Sequence, residues 1–112
     1  MNKLIAAVVA IVVAASGGAR AKGDSAAGKN KVSICISCHG LKGITPNERW
    51  PNLAGQKEEY LVLQLKAFRT GKRKDPQMEP MARRLSDQDI DNLAAYYASQ
   101  VAASSVQTPP DR

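Results

Sequence analysis

Histidine, cysteine and the bulkiest aromatics are scarce in this chain, which has one His, two Cys, one Trp and one Phe in 112 residues. Each scarcity excludes something. A single histidine rules out bis-histidine coordination of an iron within one chain. Cys35, Cys38 and His39 fall short of the four ligands of a structural zinc site and are bunched too tightly for one tetrahedral ion. No β-alternating run follows the cysteines, so the βαβ setting of a thioredoxin-like pair is missing. No apolar run reaches the roughly 20 residues of a confident membrane span. The chain has no internal repeat, and its length suits one domain. The aromatics Trp50, Tyr60, Phe68, Tyr96 and Tyr97 are few for a small domain that must bury a core of its own.

What is present is concentrated in one pentapeptide, Cys35-Ile36-Ser37-Cys38-His39. Two thiols separated by two residues, with an imidazole directly after the second, suit covalent haem attachment. Each thiol adds to one vinyl group, and His39 then sits under the iron as an axial ligand. A plain disulfide would leave His39 unexplained. One haem c per chain, bound through Cys35 and Cys38, would also fill the gap left by the missing aromatics.

At the start, Lys3 precedes the apolar run 4–15 and the small residues up to Ala19-Arg20-Ala21. This is the pattern of a secretory signal peptide, and cleavage is expected after Ala21. The expected organisation is a signal peptide over 1–21, one domain over 22–103 and a flexible, Ser-, Thr- and Pro-rich tail over 104–112. Lys3 and Arg20 leave with the leader, so 14 basic side chains face 10 acidic ones. Two ionised propionates would lower that balance to roughly +2. The mature protein is mildly basic and not polycationic. We therefore expect no nucleic-acid partner, no stable membrane insertion after cleavage, and a periplasmic monomer.

The remaining pattern is all-α. Asp24 or Ser25 caps a helix expected to run into Cys35, with Gly28 as a point of close approach for another helix. The stretch 40–56 reads as loop. Leu61, Leu65 and Phe68 share a helical stripe, with Tyr60 and Leu63 beside it, in a helix over 57–70 closed by Gly71. A turn or short helix is expected over 81–85. Ser86 opens the last helix, with Asp89 three residues on, and Ile90, Leu93, Ala94, Tyr97 and Val101 form its apolar stripe.

An iron with both axial positions filled passes electrons, whereas an open one invites ligand binding. Once His39 is assigned, the soft ligands left in the mature chain are Met78 and Met81. Met78 is the expected ligand, because its Pro-bounded backbone reads as irregular and able to aim a side chain, while Met81 is placed to face the core with Leu85. A ligating histidine donates its other ring N–H to a fixed acceptor. The Pro51 carbonyl is the first candidate and Pro46 the second. Trp50 is expected on the haem with its indole N–H toward a propionate, and Arg49 and Arg73 are candidate propionate partners.

With CISCHG at 35–40, WPNLAGQ at 50–56, Met78, LSDQDI at 85–90 and Ala94-Ala95-Tyr96-Tyr97, the chain resembles a class I c-type cytochrome of the bacterial c-553 and c-4 group. The resemblance spans 23–101. It implies the class I cytochrome c fold, with terminal helices crossing at Gly28 and Tyr96 or Tyr97. It also implies His/Met ligation, with the methionine seven residues before Leu85, which is Met78. Cytochromes of the c-4 type carry two such domains, and this chain has one. The resemblance implies a non-enzymatic one-electron carrier that serves protein redox partners, with basic residues able to steer an acidic one. The competing expectations are a haem subunit of a larger dehydrogenase complex and an open-site haem protein that binds or reduces a small ligand.

Overall fold

The computed structural model describes residues 10, 11 and 23–102. Apart from Ala10 and Ile11, the expected leader over 1–21 and the tail over 104–112 lie outside the described residues. The described chain is helical, in the order α1 (Ser25–Lys29), a 3-10 turn (Val32–Ile34), α2 (Ile36–His39), α3 (Glu58–Thr70), α4 (Met78–Arg83) and α5 (Asp87–Ala98).

Asp24 caps α1, its carboxylate accepting from the N–H groups of Ala26 at 2.9 Å and Ala27 at 3.3 Å. The helix expected to continue into Cys35 instead stops at Lys29. The Asn30 N–H folds back onto the carbonyls of Ala27 and Gly28, and the chain turns through Val32–Ile34 before α2 begins. Asn and β-branched Val and Ile rank low as helix formers, so the break falls where propensity is weakest.

Helix α1 crosses α5 at Gly28. A Cβ added there would overlap the Asn92 carbonyl oxygen and lie 2.8 Å from Tyr96 Cβ. Tyr96, of the two tyrosines expected at the crossing, is the one that meets the glycine. Beside the crossing, the Asn92 side-chain oxygen accepts from the Asp24 N–H and from Gln88 Nε2, each at 2.8 Å. The core collects Val32, Leu61, Val62, Leu85, Ile90, Leu93, Ala94, Tyr96 and Tyr97.

On α3 the buried residues are Leu61, Val62 and Phe68. Tyr60 and Leu63, expected beside the apolar stripe, are exposed. Leu63 lies two residues from Leu61, and two residues at 3.6 per turn carry a side chain to the far side of a helix. Gly71 closes α3 at φ 75°, a left-handed conformation that glycine adopts without a Cβ penalty.

Helix α5 opens with a reciprocal capping box. The Asp89 N–H donates to Ser86 Oγ at 3.0 Å, and the Ser86 N–H donates to Asp89 Oδ2 at 3.1 Å. Val101, expected on the stripe of α5, lies past its end and is exposed. The Ser86 backbone bond, chiefly, holds the Asp89 carboxyl below its ordinary value, aided by Lys31 at 3.4 Å. A carboxyl lowered by folding adds stability that is present above its unfolded value, about 3.9, and is lost as pH falls through the lowered folded value. Asp89→Ala is expected to destabilise the protein by about 1 kcal/mol at pH 7. The difference from wild type should shrink toward about pH 3, as read from urea midpoints at the two pH values.

Candidate functional site: a cavity around the Cys-x-x-Cys-His motif

The 3-10 turn, helices α2 to α5 and the loop 40–57 line an open cavity of about 860 Å³. This lies toward the upper end of the roughly 300–1,000 Å³ common for cofactor sites. Cys35, Cys38 and His39 are on its wall, as are Trp50, Pro51, Met78 and Met81. The folded chain therefore brings all six expected site residues to one space, together with the alternative methionine.

The two cysteines and the histidine are placed by one turn of helix. The N–H groups of Cys38 and His39 both donate to the Cys35 carbonyl, at 3.3 and 2.9 Å. Gly40 then takes φ 81°, which ends α2 directly behind the histidine. His39 is buried, and its Nδ1 lies 2.8 Å from the Pro51 carbonyl oxygen. A carbonyl can only accept, so Nδ1 carries the proton, and the neutral ring then has its lone pair on Nε2. That is the tautomer an iron ligand requires. Pro46 takes no part in this bond.

Several contacts fix the loop that presents Pro51. The N–H groups of Leu53 and Ala54 donate to the Gly43 carbonyl at 2.8 and 3.0 Å, and the Gly55 N–H donates to the Tyr97 carbonyl at 3.0 Å. The Tyr96 hydroxyl donates to the Leu41 carbonyl at 2.6 Å. Gly43 has no room for a side chain, since a Cβ there would stand 2.8 Å from Tyr97 Cδ1. Helix α5 thus holds the backbone that in turn holds His39.

One expectation changes. Met78 does not sit in irregular backbone but is the first residue of α4, ahead of the region 81–85 where a turn or helix was expected. Asp75 makes this possible, its Oδ1 accepting from the N–H groups of Gln77 at 2.9 Å and Met78 at 2.8 Å. Pro80 is tolerated in that first turn because its missing N–H would have had no intrahelical partner. Met78 and Met81 are then i and i+3 neighbours on one helical face, and both line the cavity. The Trp50 indole N–H donates to Gln77 Oε1 at 3.0 Å. Its partner here is a side chain of the protein. Arg49 and Arg73 line the cavity, and so does Arg84, which the sequence marked only as one of the basic residues able to steer an acidic partner. Arg73 also lies over the Phe68 ring at 4.5 Å and donates to Gln64 Oε1 at 2.7 Å.

Burial pushes the Cys35 thiol up to about 11. A thioredoxin-like centre depends on a lowered thiol, so this chemistry opposes that reading. Among the described residues, no cluster of three or more His, Cys, Asp or Glu side chains is arranged to hold a metal ion. The donor set and the cavity fit a macrocycle carrying its own iron.

The family model for cytochrome c matches residues 22–100. The chain belongs to the cytochrome c family. Within it, this cytochrome is a class I c-type protein of the c4 group, and its helical architecture is the class I cytochrome c fold. Its cofactor is haem c, covalently bound through Cys35 and Cys38, the chain's two cysteines.

It is 40% identical to cytochrome c4 of Pseudomonas aeruginosa over 109 residues, 97% of this chain and 54% of that relative. It is 48% identical to cytochrome c-554(548) of Halomonas halodenitrificans over 81 residues, 70% of this chain and 98% of that relative. Its structure resembles reduced recombinant cytochrome c4 from Pseudomonas stutzeri with a TM-score of 0.68 at 42% identity, over 70% of this chain and 46% of that one. The chain thus spans about half the length of the cytochrome c4 relatives it matches.

Proposed function

We propose that this cytochrome is a periplasmic one-electron carrier, not an enzyme, with His39 and Met78 as the axial ligands of its iron. The observation that carries the reading is one cavity wall bearing both cysteines, a histidine whose Nδ1 is already committed to Pro51, and a methionine pair on α4. Haem c would supply a ferrous/ferric couple here, and a methionine ligand in addition to the histidine would raise its potential. Cys35 and Cys38 anchor the group. His39 presents Nε2 while the Pro51 carbonyl fixes the ring and raises its basicity. Met78 offers a thioether from the start of α4. Leu53, Leu65, Leu93 and Phe68 on the cavity wall would shield a bound haem from water.

Met78 is preferred to Met81 on the family spacing, seven residues before Leu85. The unit that works is the domain over 22–103, released from its leader at 1–21, with the tail over 104–112 outside it. Among the described residues no helix is long and apolar enough to cross a membrane. Electrons pass to and from a partner redox protein. Arg49, Arg73 and Arg84 on the cavity wall favour an acidic surface on that partner. The protein acts as a monomer.

The test is acidic organic extraction of the exported protein, followed by redox titration of the same preparation. The expected result is haem that stays with the polypeptide, a reversible one-electron couple, and a weak thioether-to-ferric-iron absorption band. Haem that extracts, or a reduced protein that binds carbon monoxide as fast as an open site, would overturn the proposal.

A further inference from the structure

We propose that Trp50 and Gln77 form a clasp that holds the iron's two ligand-bearing segments together, so that both act as positioning residues for the methionine–iron bond. The inference rests on the His39/Met78 reading and extends it to residues that touch neither ligand's coordinating atom.

The indole N–H of Trp50 donates to Gln77 Oε1 at 3.0 Å across 27 residues of sequence. Each end of this bond abuts one ligand. Trp50 precedes Pro51, whose carbonyl takes the His39 Nδ1 proton at 2.8 Å. Gln77 precedes Met78, and the two N–H groups share Asp75 Oδ1 at 2.9 and 2.8 Å. His39, Trp50, Pro51, Asp75, Gln77 and Met78 all stand on the cavity wall. The bond therefore connects the loop that orients the histidine to the turn that launches the methionine.

The chemistry of the pair fits a clasp. An indole N–H is a donor only, and a side-chain amide oxygen accepts without charge, so the bond is indifferent to pH across the physiological range. Gln77 is exposed and Trp50 only half buried. An exposed neutral hydrogen bond contributes little to global stability. Its effect falls on local opening, in which the start of α4 swings away from the iron while the rest of the fold stays intact.

Carbon monoxide must displace the thioether from ferrous iron, so its binding rate reads that opening. Trp50→Phe keeps a ring and removes the donor. Gln77→Leu keeps the bulk and removes the acceptor. Gln77→Glu keeps an acceptor oxygen. Each single loss is expected to speed carbon monoxide binding roughly three- to tenfold, the worth of one hydrogen bond. The double variant Trp50→Phe/Gln77→Leu should be no faster than the faster single, and Gln77→Glu should stay near wild type. Urea midpoints should barely move.

Unchanged carbon monoxide rates in both single variants, with or without a fall in urea midpoint, would overturn the clasp. So would acceleration in Trp50→Phe alone, which would mean that the indole serves the haem and not Gln77. The wild-type spectrum separates the two claims. A missing thioether band sinks the ligation reading and the clasp together, whereas a band that is present beside unresponsive variants sinks the clasp alone.

Discussion

Gly28→Ala is expected to destabilise the protein by about 3 kcal/mol or more, at or beyond the top of the usual range for overpacking. The contact it disturbs involves backbone. The new Cβ would overlap the Asn92 carbonyl oxygen, which belongs to the middle of α5 and cannot swing aside as a flexible side chain would. Relief requires the two helices to separate. That separation would break the Asp24-to-Asn92 bond and loosen Tyr96, whose Cβ meets Gly28, against α1. A domain of about 80 residues has a total stability on the order of 4–12 kcal/mol, so this single methyl group removes a large share of it. The measurement is the urea midpoint of the haem-loaded protein, followed by absorbance and by tryptophan fluorescence. Because the haem is covalently held, unfolding cannot be masked by its loss. A midpoint within experimental error of wild type would show that α1 and α5 do not cross at this point.

Met78→Ala should produce the second large effect. The ferric thioether band is expected to disappear and the reduced protein to bind carbon monoxide freely. The potential should fall on the order of 100 mV, within the ~0.8 V that axial ligands span. Met81→Ala is the informative control, because the two methionines share one face of α4 and both line the cavity. It should keep the band and lose only packing. The opposite pattern would transfer the ligand role to Met81. Loss of the band in neither variant would remove methionine from the coordination altogether.

The motif around Cys35 and Cys38 could be read from the sequence because its chemistry is local. Thiol spacing and the adjacent imidazole are set within one helical turn, and no distant residue changes what they can attach. The capping of α5 by Ser86 and Asp89, and the closing of α3 by Gly71, were legible for the same reason: each is a short-range hydrogen-bond or dihedral requirement. The α3 stripe was legible only in part, since apolar residues at Tyr60 and Leu63 match the composition of a buried face without matching its angle.

The start of α4 shows the other side. Met78-Glu79-Pro80 looks irregular in sequence because of its proline, yet the proline falls in the one turn that does not need its N–H, and Asp75 Oδ1 accepts from the Gln77 and Met78 N–H groups just ahead of it. The side chain of Trp50 was equally unreadable. An indole N–H accepts whatever partner the fold brings near, and Gln77 is 27 residues away.

The sequence by itself determined the cofactor's attachment chemistry, the all-helical class, the crossing glycine and the short list of possible iron ligands, because these depend on residue type and on spacing within a few turns. The tertiary structure alone decided that Tyr96 and not Tyr97 meets Gly28, that Val62 is buried where Leu63 is not, that both methionines share the cavity, and that Gln77 closes on Trp50. These depend on where separate helices lie in space, and that is fixed by the packing of the whole core, not by any local run of residues.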